Sequence, residues 1–156
     1  METKIELRQS NKPLNILLVG NNPIDLTRTL EKINQFHGRR IIAEIAFDLR
    51  SIAERLMRFR PNFILIDDNI GKQEMAQTIQ TLTTSRKTRD VPITVLKNSN
   101  YQESWATGIM DYVLKQNFSA ETFYNTLRNS LKFRRTQLYL YKAYRERKRQ
   151  LGKIRF

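Results

Sequence analysis

Asp67 and Asp68 stand at the end of the apolar run Phe63-Ile-Leu-Ile66. A carboxylate pair in that setting can help to hold a divalent cation or pair with a buried ammonium. A second apolar run, Ile16-Leu-Leu-Val19, ends in Gly20, Asn21 and Asn22 with no carboxylate. If the two runs are neighbouring parallel strands, their carboxyl ends share one crevice, and most of the acidic cluster that would hold a cation there is missing. Two ammonium groups come to the same end of such a sheet, Lys97 after Ile93-Thr-Val-Leu96 and Lys115 after Asp111-Tyr-Val-Leu114. The candidate pocket is therefore Gly20, Asn21, Asn22, Asp67, Asp68, Asn69, Lys97 and Lys115.

These residues need a parallel sheet to bring them together. Short apolar runs alternate with amphipathic stretches of helical length, the pattern of such a sheet covered by helices on both faces. Five strands are predicted, at about Asn15 to Val19, Arg40 to Ala46, Asn62 to Asp67, Ile93 to Leu96 and Asp111 to Leu114. Pro23 suits a first helical turn, with Leu26, Leu30 and Ile33 following at helical spacing. Asp48 is a helix cap before the stripe Ile52, Ala53, Leu56 and Met57, which Pro61 ends. Met75, Ile79 and Leu82 predict a helix from Lys72 to Ser85, and a short fourth helix fits around Gln102 to Thr107. The last helix starts near Ser119, with Glu121 in its first turn. Thr122 stands where a capping box has Glu or Gln, so this start is weakly marked. Phe123, Leu127 and Leu131 repeat every four residues, and the helix can run to about Gln150.

Apolar residues make up 40% of the 156, and no stretch approaches the ~20 uncharged apolar residues of a membrane span. The N-terminus, Met1-Glu-Thr-Lys-Ile-Glu6, lacks the apolar core of a secretory signal. The absence of cysteine excludes disulfides, thiolate metal sites and a thiol nucleophile. A cytoplasmic location with no membrane partner is the expectation. The net charge is +13, of which residues 131–156 hold +9, ten Lys or Arg against Glu146, leaving +4 for the body. The division expected is an N-terminal extension at 1–13, a domain at 14–130 and a basic C-terminal helix at 131–156.

The order of elements resembles the receiver domain of bacterial two-component response regulators across residues 14–130. The matching segments are Asn15-Ile-Leu-Leu-Val-Gly-Asn-Asn-Pro23, Pro61-Asn-Phe-Ile-Leu-Ile-Asp-Asp-Asn69 with Gly71, Val91-Pro-Ile-Thr-Val-Leu96, and Gly108-Ile-Met-Asp-Tyr-Val-Leu-Lys115 followed by Phe118. The resemblance implies an α/β fold, a five-stranded parallel doubly wound (flavodoxin-like) sheet, here with an extended basic C-terminal helix. In that family an aspartate at the end of strand three accepts a phosphoryl group from a histidine kinase, helped by magnesium held by an acidic pair after strand one. Asp67 is then the candidate phosphoacceptor. The acidic pair falls on Gly20 and Asn21, and the family's hydroxyl residue after strand four on Lys97. Its lysine after strand five is Lys115, followed by Gln116 in place of the usual proline, and Tyr112 fills the aromatic switch position. The stretch between strands four and five is several residues shorter than the family's.

Magnesium needs hard oxygen ligands, usually carboxylates, because its dehydration is costly. Gly20 provides no side chain and Asn21 only an amide oxygen. A phosphoryl group on Asp67 would have two lysines as its main counter-charges, a poor replacement for a bridging metal. Lys97 can instead pair with Asp67 and imitate an occupied site. The expectation is a pseudo-receiver that signals by protein contact without phosphorylation, with no catalytic residue and no cofactor, magnesium being disfavoured. Its partner is a sensor kinase or a downstream effector, reading the faces of the short helix and the last helix through Trp105 and Tyr112. The alternatives are a regulator phosphorylated on Asp67, with Asp68 supplying a metal oxygen, and a small basic nucleic-acid-binding protein. Simpler roles compete: Asn21 and Asn22 suit a turn and cap before Pro23, Asp67 is satisfied by Lys115 or Lys97, His37 is a loop residue, and Trp105 covers the sheet edge.

The basic helix carries Arg134, Arg135, Lys142, Arg145, Arg147, Lys148 and Arg149. Leu131, Leu138, Tyr141 and Arg145 lie at heptad spacing, as do Phe133, Leu140, Tyr144, Arg147 and Leu151, so either broken stripe could support a homodimer. Tyr139, Tyr141 and Tyr144 among the cations would also suit a phosphate backbone with stacked bases, although no recognised reading module is present. The expected order is a solvated signalling helix or linker, then dimerisation, then nucleic-acid binding. The lack of a stop signal at the basic end is what the front of a longer protein would show.

Overall fold

The computed structural model describes residues 12–98 and 111–153. The expected extension at 1–13 lies almost wholly outside the described residues, and the short helix around Gln102 to Thr107, with Trp105, lies entirely outside them. Strands β1 (Leu14–Val19), β2 (Ile41–Ala46), β3 (Phe63–Asp67), β4 (Ile93–Lys97) and β5 (Asp111–Leu114) form one parallel sheet in the order β2-β1-β3-β4-β5. Helices α1 (Pro23–Asn34), α2 (Leu49–Leu56), α3 (Lys72–Thr84) and α4 (Ala120–Lys153) complete the α/β fold. Single 3-10 turns at Asp68–Ile70 and Lys115–Asn117 follow β3 and β5.

Alternation along the strands divides the core in two, because successive side chains point to opposite faces. Leu17, Val19, Ile64, Ile66 and Val95 face α2 and α3, meeting Ile52, Leu56, Met75, Ile79 and Leu82. Ile16, Leu18, Phe63, Leu65 and Leu96 face the other way, onto Leu26 and Ile33 of α1 and Phe123 and Leu127 of α4. The strands are apolar on both faces, as a sheet covered on both sides requires. Pairing of Val19 with Ile66, Asp67 with Leu96 and Lys97 with Leu114 brings the strands' carboxyl ends to one edge.

Each turn into a helix is chemically marked. Asn22 accepts hydrogen bonds from the amides of Ile24 and Asp25, with Pro23 at the first helical position. Asp48 and Ser51 form a reciprocal capping box at α2. Before α3, Gly71 has φ of +94°, a conformation that only glycine adopts without strain, and no side chain caps that helix. At α4 the weakly marked start is closed by Thr122: its hydroxyl accepts the Ser119 amide, and its own amide donates to the Ser119 hydroxyl.

Helix α4 begins in the core and leaves it. Phe123, Thr126, Leu127 and Ser130 are buried, whereas every described side chain from 135 to 152 is exposed. No helix among the described residues is long and apolar enough to cross a membrane.

Candidate functional site

The crevice forms where the chain leaves β1 and β3 in opposite directions, the position at which an open α/β sheet binds ligands. Its β1 side is set by Gly20, whose amide donates to Ala46 O at 3.0 Å. A Cβ here would lie 2.7 Å from Leu26 Cδ2 and 3.2 Å from Asp67 Cβ. A side chain at position 20 would therefore have to displace Leu26. We expect Gly20→Ala to cost about 1–3 kcal/mol by overpacking, read from urea unfolding. An unchanged midpoint would mean that Leu26 moves aside freely.

Asp67 closes β3 and is 2% exposed. Its Oδ2 accepts from Lys115 Nζ at 2.6 Å and its Oδ1 from the Asn69 amide at 2.9 Å. The same ammonium donates to Asp25 Oδ2 at 3.1 Å, so Lys115 bridges two carboxylates that arrive from β3 and from the first turn of α1. Asn69 Nδ2 also donates to Asp25 Oδ2. Asp68 accepts from the Asn98 amide and side chain, and the Asn98 side chain donates as well to Asn69 Oδ1. One network therefore runs from Asp68 through Asn98, Asn69, Asp25 and Lys115 to Asp67.

Environment separates the two carboxylates on Lys115. Burial pushes Asp67 above its ordinary value, opposed by hydrogen bonds from Lys115 and the Asn69 amide. Asp25 is nearer solvent, and the Lys115 hydrogen bond, as the largest influence, holds it below the usual range.

Of the predicted pocket, Asp67, Asp68, Asn69 and Lys115 are brought into this network, with Gly20 packed against Asp67. Asn22 serves as the α1 cap, and Asn21 is exposed. Of the two lysines offered to Asp67, Lys115 makes the 2.6 Å ion pair. Lys97 holds its ammonium 5.2 Å from the centre of the Tyr112 ring, a cation–π distance. Tyr112 is 36% exposed. Sequence reasoning missed Asp25 and Asn98. Asp25 reads as an ordinary first-turn acid favoured by the helix dipole. The available signal was that α1 starts at the crevice, so its first-turn side chains can reach back to it.

No family model matches the sequence, and no curated protein matches it. The fold is that of CheY-like receiver domains. The receiver domain of the sensor histidine kinase PA1611 from Pseudomonas aeruginosa PAO1 was solved with a magnesium ion coordinated in its active-site cleft. It has a TM-score of 0.62 and 20% identity, over 78% of this chain and 99% of that one. The chemotaxis response regulator CheY4 of Vibrio cholerae gives 0.62 and 19%, over 76% and 99%. A CheY-like receiver domain protein from Methanospirillum hungatei JF-1 gives 0.64 and 15%, over 81% and 99%.

Proposed function

We propose that this chain is a degenerate receiver, a body at 14–130 with a basic extension at 131–156, which signals in the cytoplasm by protein contact and without phosphorylation. The observation that carries this reading is the Lys115 ammonium held between Asp67 and Asp25. A receiver that depends on magnesium needs oxygen ligands turned toward the metal, yet here Gly20 offers none. Both carboxylate oxygens of Asp67 and of Asp68, and Oδ2 of Asp25, accept hydrogen bonds from Lys115, Asn69 and Asn98. This donor set does not fit magnesium unless the network is broken. In its place, a fixed ammonium supplies positive charge beside the buried carboxylate at all times, so the site stays in one electrostatic state. The partner that reads that state is a sensor kinase or a downstream effector. It meets the β5 edge, where Tyr112 and Lys97 stand together at the surface. The chain has no catalytic role of its own in this reading.

Isothermal titration of magnesium, with and without beryllofluoride as a phosphoryl mimic, tests the proposal on the whole protein and on an Asp67→Asn control. We expect no Asp67-dependent heat. Binding that disappears in the control would overturn the proposal and make Asp67 a regulated phosphoacceptor.

A further inference from the structure

Charge in this protein is concentrated where the fold covers it least. Helix α4 leaves the domain beside the loop that precedes β4. There Arg134 Nη1 lies 3.4 Å from Asp90 Oδ1, and Arg89 Nε 3.8 Å from Asp90 Oδ2. The acidic residue of that loop is thus taken up by two guanidinium groups. A groove of about 730 Å³ opens between loop and helix, lined among others by Arg89, Leu138, Tyr141, Tyr144 and Arg145. Tyr141 and Tyr144 are 58% and 63% exposed, and the Arg145 guanidinium sits 4.7 Å from the Tyr141 ring centre. Arg134, Leu138, Tyr141, Arg145 and Lys148 repeat at spacings of four and three, so one face carries three cations with Leu138 and Tyr141 between the first two, and Tyr144 lies beside it.

Aromatic rings between fixed cations are complementary to a strand that alternates flat bases with negative phosphates. We propose that this groove binds single-stranded nucleic acid, with bases stacking on Tyr141 and Tyr144 and phosphates meeting Arg89 and Arg145. The inference is independent of what happens at Asp67. Charge complementarity selects this occupant. Residues 131–156 carry +9 with Glu146 as their sole acid, so a second copy of the helix would bring like charge against like charge. The apolar stripe it would use is broken by Gln137 and Arg147. A membrane surface would need one continuous apolar side, whereas Lys132, Arg134, Arg135, Arg147 and Lys148 are spread around the whole circumference of the helix.

The test is fluorescence anisotropy of labelled oligo(dT) and oligo(U) with the full chain. Anionic phosphatidylserine vesicles and sedimentation of the protein alone serve as further arms. We expect binding whose logarithm falls linearly with log salt, at a slope of about −0.7 per phosphate contacted. Tyr141→Ala with Tyr144→Ala should weaken it by about 25-fold or more, taking roughly fivefold per lost stack. Tyr141→Phe with Tyr144→Phe should retain it, since the rings remain. Both positions are exposed, so neither pair of substitutions should change the unfolding midpoint. Equal binding by the alanine pair would overturn the stacking groove. So would capture of vesicles but not of oligonucleotide, or a dimer formed through α4 that excludes the oligonucleotide.

Discussion

Phe123→Ala is expected to remove about 3–5 kcal/mol of stability, a large share of the ~5–15 kcal/mol that a domain typically has. The ring is fully buried and meets Phe36, Phe63 and Phe118 edge-on, with centroids 5.7, 6.3 and 6.0 Å away. These partners come from the turn after α1, from β3 and from the turn after β5, so one side chain ties the root of α4 to three other parts of the chain. Truncation loses the transfer energy of the ring and leaves a cavity whose walls are held by separate elements and cannot collapse together. Urea unfolding measures the effect. A cost below about 1.5 kcal/mol would mean that the cluster repacks around the gap. Tyr139→Ala, at a position 72% exposed on the same helix, should change stability by less than about 0.5 kcal/mol.

Lys115→Met should cost about 3 kcal/mol at neutral pH, because it leaves Asp67 buried with no counter-charge. The pH dependence has a definite sign. Asp67 is already raised in the folded state by burial, and loss of the ammonium raises it further. Between its ordinary value and that raised value, the folded variant binds more protons than the unfolded chain. Stability of the variant therefore rises as pH falls through the raised folded pKa, and its deficit against the parent narrows. Asp25 behaves in the opposite sense in the parent. Held low by Lys115, it contributes stability above its ordinary value, which is lost as pH falls through its lowered one. Denaturant melts at neutral and mildly acidic pH decide the matter, and a deficit that does not change with pH would contradict a desolvated Asp67.

The strands were legible because the apolar runs are of strand length, bounded by turn residues and alternate with stretches at helical spacing. Their ends agree to about one residue. Arg40, predicted inside β2, sits just before it, yet its carbonyl still accepts the Leu14 amide at 2.8 Å. The absence of carboxylates after β1 was equally visible, since it depends only on residue types. What replaces them was not. Asp25 lies five residues beyond Gly20, and only the angle at which α1 leaves the sheet turns it toward Lys115. The choice between Lys97 and Lys115 as partner of Asp67 depended likewise on side-chain reach. Asp48 was readable as a cap, and Ser51 and Thr122 stand at the capping-box position three residues on, but as hydroxyl residues in place of Glu or Gln they were not expected to close the box.

Because α4 continues without a break from Phe123 to Lys153, the helix is mechanically a single moment arm with its pivot in the domain core. The tip at Lys153 lies roughly 42 Å from that pivot at about 1.5 Å per residue. A tilt of about 10° at the Phe123–Leu127 anchorage would sweep the far end through about 7 Å, more than the pitch of one helical turn. A sub-ångström change in how the aromatic cluster packs is thereby magnified at the tip, and a load on the tip is returned to the same buried rings.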